Sequence, residues 1–171
     1  MFVNPKHAIE QGLIRGIRDE AKQVQPNAID FTLDDLRTIE RDHAFLCEDK
    51  SRNMMRNSYA TEARDGVWLL DGGRVYDGTS DMYIEVPEGM AAILYTRSSF
   101  ARNGVFIMSG LYDSGYKGHI GFTIYTIGGA IEIEKGTRIG QVALVSAETA
   151  KMYAGGWNHE EGTHYTEKGE Q

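Results

Sequence analysis

Along most of this chain apolar and polar residues alternate with a period near two, and the apolar runs are short and bounded by Gly, Asp, Asn and Ser. That rhythm predicts strands at 28–33, 44–47, 67–70, 82–86, 91–96, 105–108, 120–127, 130–133 and 139–145. The first 22 residues follow another beat. Ile9, Leu13, Ile14 and Ile17 recur at i, i+4, i+5 and i+8, the spacing of an amphipathic helix interrupted by Gly12 and Gly16, with Asn4 and Pro5 as its cap and first-turn residue. Residues 48–66 are polar and charged without a clear period and read as a long loop.

One segment recurs. Ile84-Glu85-Val86-Pro87-Glu88-Gly89 and Ile131-Glu132-Ile133-Glu134-Lys135-Gly136 each run from a strand through a glycine-ended turn into a second strand. Read as two related hairpins facing the core, they suit a double-sheet jelly roll with pseudo-repeated halves. The expected fold is therefore all-β, a distorted jelly roll with a short N-terminal helix. At 171 residues it suits one domain, over 1–150, followed by a C-terminal arm over 151–171.

Composition narrows the function. The net charge is −7, which argues against general nucleic-acid affinity, since backbone binding needs a basic surface. Residues 91–141 nevertheless carry five Lys/Arg against three Asp/Glu, locally +2 against −9 elsewhere, so positive charge gathers where an anionic ligand would sit. Cys47 stands alone and cannot form an intramolecular disulfide, the N-terminus lacks an apolar leader, and no apolar run is long enough to span a bilayer. A cytoplasmic protein without membrane contact is expected.

The chemistry concentrates between 97 and 118. Arg97-Ser98-Ser99-Phe100-Ala101-Arg102 sets two guanidinium forks and two small hydroxyls around a turn, equipment for gripping a polyphosphate. A serine there could cap a short helix whose free amides face the anion. Gly110-Leu111-Tyr112-Asp113-Ser114-Gly115-Tyr116-Lys117-Gly118 places a carboxylate and tyrosines in a glycine-punctuated hairpin that can press its backbone against a flat ligand. These stretches resemble the trimeric dUTPase and dCTP deaminase superfamily, whose motifs read Arg-Ser-Ser-x-x-Arg and x-Asp-x-Gly-Tyr/Trp-x-Gly. Asn27-Ala28-Ile29-Asp30-Phe31-Thr32 is similar to the family's early motif, and Gly136-Thr137-Arg138-Ile139-Gly140-Gln141 to its fourth.

The resemblance implies a homotrimer with sites between subunits and a deoxynucleoside triphosphate, dUTP or dCTP, as substrate. Mg²⁺ would be carried in on the phosphates rather than held by a protein cage. Arg97, Ser98, Ser99, Arg102 and Gln141 would then hold phosphate. Backbone groups between 107 and 112, with Gly110 and Tyr112, would read the base edge, and Tyr116 would stack under the deoxyribose. Asp113 would be the general base that activates water. Asp30 would hold the metal's water shell from a distance or stabilise the fold. Arg138, three residues before Gln141, falls on the opposite face of a regular strand and is equally suited to a trimer salt bridge.

Two departures choose among branches. The deaminase branch needs a glutamate ten residues past the motif's Asp; that position holds Thr123, and no acid lies between 114 and 130. A threonine hydroxyl cannot shuttle protons near neutral pH. Yet residues 153–162 resemble the deaminases' closing arm, with Tyr153 and Trp157 as lid aromatics, but with Gly156 and Glu160 where the arm's Lys and second Gln belong. Lys151 and Lys168 are substitute cations. His159 and His164 are five apart, wrong for a helical zinc pair. The reading is a diphosphohydrolase converting dUTP to dUMP and pyrophosphate. Its alternatives are a dCTP deaminase, alone or bifunctional, and a catalytically weak nucleotide-binding regulatory module.

Overall fold

A computed structural model describes residues 1–159 of the chain. Eleven strands build it: β1 (Ile14–Arg15), β2 (Ile29–Thr32), β3 (Asp35–Ile39), β4 (Ser58–Ala60), β5 (Val67–Leu70), β6 (Val75–Glu85), β7 (Met90–Thr96), β8 (Val105–Met108), β9 (Lys117–Thr126), β10 (Ile131–Glu134) and β11 (Arg138–Ser146). One antiparallel sheet runs β4-β3-β6-β9-β8, with β1 added on β6. A second runs β2-β11-β7, and β5 pairs with β10. Phe31, Ile139 and Val142 from the second sheet meet Ile84, Ile120, Phe122 and Ile124 from the first in one fully buried core. The rings of Phe31 and Phe122 lie 5.0 Å apart. Each such side chain contributes about 1.5–3 kcal/mol on leaving water. The result is the expected all-β jelly roll.

The short N-terminal helix forms, but it does not extend along the whole apolar spacing of the first 22 residues. Helix α1 spans only Pro5–Glu10, with the Asn4 side chain accepting from the Lys6 amide and Pro5 in the first turn, as the sequence suggested. Gly12 and Gly16 both take positive φ (69° and 78°), which ends the helix and lets Ile14 pair with Ile84 as β1. A second short helix, α2, spans Glu20–Gln23. Of the four apolar residues, Ile9 lies in α1 and Ile14 is buried in β1, while Ile9, Leu13 and Ile17 pack half-buried against the core.

The repeat is real in its turns but not as hairpins. Gly89 and Gly136 take nearly the same φ, 81° and 82°. However, β6 and β7 lie in different sheets, and so do β10 and β11. Each turn is thus a corner that carries the chain between sheets, delivering β7 and β11, which pair with each other from Gly140↔Thr96 to Ser146↔Met90. The strand expected at 44–47 is reduced to an isolated bridge, Phe45↔Met54. The expected loop 48–66 contains β4 and a short 3₁₀ turn, Lys50–Arg52. Strand β3 and the first half of β6 went unseen because their inward positions include Thr38, Gly78 and Ser80. Gly78 is needed there: a Cβ would meet the Phe122 ring at 2.7 Å.

Candidate active site

The loop between β8 and β9 is held rigidly from below. Tyr112 exchanges both backbone hydrogen bonds with Ala92 (2.9 and 3.1 Å). The Ser114 hydroxyl donates to the Met90 carbonyl at 2.5 Å, and the Gly115 amide to Val86 at 2.7 Å. Gly115 takes φ 95°, a conformation other residues rarely adopt. The Tyr112 and Tyr116 rings meet edge to face at 4.8 Å. Tyr112 donates its hydroxyl to the Gly121 carbonyl, and Tyr116 to that of His119 at 2.9 Å. Both tyrosine rings are buried.

Asp113 stands at the crest of this loop, exposed. Its backbone carbonyl accepts the turn hydrogen bond from Tyr116. Its carboxylate has no hydrogen bond or ion pair among the described residues, so it is not spent on forming the turn. Two cavities flank it. One, of about 240 Å³, is walled by Gly110, Tyr112, Tyr116, Tyr153 and Trp157 and floored by Thr123 and Asp77. The other, of about 670 Å³, lies beneath residues 147–155 and includes Lys151. Asp113, Leu111 and Tyr153 border both.

The arm is docked as far as residue 159. The Tyr153 amide donates to Ser114 (2.7 Å) and the His159 amide to Lys117 (3.0 Å). Asn158 accepts from the Lys117 amide at 2.9 Å. His159 is buried; its Nε2 accepts from the His119 amide at 2.8 Å, and its carbonyl from Tyr83. Gly118 makes room for this, since a Cβ there would stand 2.4 Å from the His159 ring. His159 thus serves to fasten the arm. Glu160, His164 and Lys168 lie outside the described residues.

A second cluster forms around Asp30, whose side chain is 2% exposed. Arg97 Nε (3.2 Å) and Arg138 Nη1 (3.1 Å) reach Oδ2, while Gln141 Nε2 donates to Oδ1 at 2.9 Å. Arg97 also donates to the Arg138 carbonyl at 2.7 Å, and Arg138 to that of Lys22. Strand alternation would separate Arg138 from Gln141. The register of β11 on β2 slips between Arg138 and Gly140, a bulge whose extra residue brings both side chains to the same carboxylate. Both oxygens of Asp30 are consequently engaged by protein. Three of the five cations in 91–141 are matched within the chain: Arg97 and Arg138 by Asp30, and Lys117 by Glu85 at 3.1 Å.

What remains for an anion is exposed. Helix α3 (Ser98–Arg102) begins at Arg97 as its cap residue, with no side-chain capping bond, so neither serine caps it. Ser98, Ser99 and Arg102 are solvent-facing, and Arg102 makes no ion pair among the described residues. Neither cavity beside Asp113 is lined by any of these residues or by Gln141. Within one chain, the hairpin group and the phosphate-motif group are therefore two separate places.

The residue that sequence reasoning passed over is Asp77. It lies directly across β6–β9 from Thr123 and lines the smaller cavity. Burial pushes its carboxyl up to about 6, against the opposing pull of Arg37, with Asp35 adding to the rise. The strand that follows the hairpin carries no acid before residue 130, and the strand paired with it supplies one. Alternation along β6, with Tyr76, Gly78 and Ser80 inward and Asp77 outward, was the signal that could have found it.

Fold and cleft define a jelly-roll protein with a hairpin-built pocket against which the C-terminal segment is docked as far as residue 159. Residues 4–147 match the dCTP deaminase-like family, and the chain belongs to it. It is 27% identical over 151 residues to a probable deoxyuridine 5′-triphosphate nucleotidohydrolase of Methanococcoides burtonii, covering 86% of this chain and 88% of that one. It is 28% identical over 148 residues to a dUMP-forming dCTP deaminase of Bifidobacterium animalis subsp. lactis, covering 84% and 76%. Among solved structures, the 2′-deoxycytidine 5′-triphosphate deaminase from Agrobacterium tumefaciens superposes with a TM-score of 0.65 at 18% identity. That match covers 85% of this chain and spans 48% of the other's length, and it speaks for the fold.

Proposed function

We propose that this chain is a homotrimeric diphosphohydrolase that converts dUTP to dUMP and pyrophosphate, with sites formed between subunits. The observation that carries the reading is Asp113: a carboxylate without an in-chain partner, fixed by a braced loop on the ridge between two cavities. Asp113 takes a proton from water, whose oxygen attacks the α-phosphorus; the bond to the bridging oxygen breaks and pyrophosphate leaves. The relatives named as deoxyuridine triphosphate nucleotidohydrolases support the substrate. The separation of Ser98, Ser99 and Arg102 from the Asp113 cavities supports a site completed by a neighbouring subunit.

Among the described residues no cluster of three or more His, Cys, Asp or Glu could hold a metal, and Asp30 is fully engaged. Mg²⁺ would arrive on the triphosphate, where it would offset phosphate charge. The chain's own part is to bind the phosphates and place the water. Incubation with dUTP, dCTP or dTTP and Mg²⁺, resolving pyrophosphate, dUMP and dUTP, tests the assignment. Pyrophosphate and dUMP from dUTP are expected; binding without turnover would reject it in favour of a regulatory module.

A second reading, deamination of dCTP, is favoured by one observation: Asp77 supplies to the cavity an acid that β9 lacks. The primary reading expects no ammonia from dCTP, because Thr123 occupies the position where a proton carrier would stand. Ammonia release at a rate comparable to pyrophosphate release would overturn it. For phosphate binding, Arg102→Ala is expected to weaken affinity for a non-hydrolysable dUTP analogue by about 1.5–3 kcal/mol, the scale for losing a charged hydrogen-bond partner. Unchanged affinity in titration calorimetry would remove Arg102 from the site. Arg97→Ala is the poorer probe, since it also removes one of the three partners of Asp30.

A further inference from the structure

Across the large sheet, Ala60, Arg37, Asp77, Thr123 and Met108 stand in one row on the same outer face. Met108 leads into the hairpin loop, so the row passes from β3 under the floor of the 240 Å³ cavity. Arg37 is turned to the other edge, where it donates to the Ser58 hydroxyl (3.0 Å) and carbonyl (2.8 Å). The Asp77 carboxyl has neither a hydrogen bond nor an ion pair among the described residues. The carboxyl is half-buried, lines the cavity and is not used by the fold, so it is placed to meet what enters there.

We propose that the Asp77 carboxyl reads the 3,4-edge of the pyrimidine held in this cavity, and does so as the protonated acid. The proposal rests on the nucleotide assignment above. A carboxylic acid offers a donor and an acceptor side by side. Uracil presents N3–H beside O4, and cytosine presents N3 beside its 4-amino group; each is matched by the acid, with the proton on one oxygen or the other. The ionised carboxylate only accepts, keeps one of the two bonds and faces a lone pair at the other. Asp77 therefore grips either base, and discrimination between them falls to a hairpin backbone group that meets the second lone pair of O4 or the second hydrogen of the 4-amino group.

The surroundings support the protonated form. From β3 face Arg37 and Asp35, whose influences on the carboxyl oppose each other, and burial outweighs both. From β9 come the uncharged Thr123 and Gly121. The hairpin adds Asp113, a further negative group, with Tyr112 and Tyr116, and the arm adds Tyr153 and Trp157. The only cation among these groups is Arg37, already committed to Ser58.

The test is binding of a non-hydrolysable dUTP analogue and of dCTP between pH 5.5 and 8 to wild type and Asp77→Asn. The amide keeps a donor and an acceptor at every pH, and the ratio of the two proteins' affinities cancels titration of the ligand's phosphates. That ratio is expected to be flat below pH 6, with wild type losing about tenfold or more relative to the variant between pH 6 and 8. Inorganic triphosphate, which has no base, should show no such divergence. Asp77→Ala, folded by circular dichroism, should bind about tenfold more weakly at pH 5.5. Parallel pH curves for wild type and Asp77→Asn, or full affinity in Asp77→Ala, overturn the inference alone. Failure of wild type to bind either nucleotide at any pH overturns the nucleotide assignment and this inference together.

Discussion

Replacing Asp113 by Asn is expected to slow pyrophosphate release from dUTP by two or more orders of magnitude while leaving nucleotide affinity nearly unchanged. General-base assistance of this kind contributes about 10²- to 10⁴-fold, and an amide of the same shape cannot take the proton. The fold offers no competing explanation. The carboxylate is exposed and supports no hydrogen bond among the described residues, and the loop is braced through the backbone of Tyr112 and Gly115 and the hydroxyl of Ser114. Single-turnover kinetics separates the chemical step from binding. Turnover equal to wild type would eliminate Asp113 as the base.

Asp30→Ala is expected to act on stability instead, lowering it by about 3–5 kcal/mol, the range for removing one partner of a buried ion pair. The change takes from the Arg97 and Arg138 guanidinium groups and the Gln141 amide the carboxylate on which all three converge, and leaves the two arginines only their backbone carbonyl acceptors. Denaturant unfolding of the purified variant measures the loss. A change below about 1 kcal/mol would show that the cluster is not a mainstay of the fold.

Much of this was legible along the chain, and the pattern of success has a physical basis. Strands with a large apolar inward face, such as β7, β8 and β11, announce themselves by alternation. Strand β6 hides half its length because close approach of Phe122 demands Gly78, and Ser80 is buried beside it. The motif residues were found by type and spacing, but their division into two places was not, since it depends on sheet assignment. Asp30, Arg97 and Gln141 each resembled a phosphate or metal residue in isolation; only the pairing of β11 with β2 on one side and β7 on the other shows that they engage one another. Asp77 lies 36 positions from Asp113 along the chain, and only the pairing of β6 with β9 brings it under the same cavity.

The slip in β11 also bears on how this segment can change over generations. A regular strand tolerates gain or loss of residues in pairs, because side chains return to their original faces after two. Between Arg138 and Gln141 the count itself carries the information. Deleting one residue there would remove the bulge and leave both side chains on the Asp30 face of a regular strand, whereas deleting two would turn one of them away. The spacing from Gly136 to Gln141 is thus a ruler as much as a set of contacts. Substitution at its intermediate positions is open to any residue the local packing admits, and Gly140, where a Cβ would stand 2.2 Å from the Phe31 ring, admits very few.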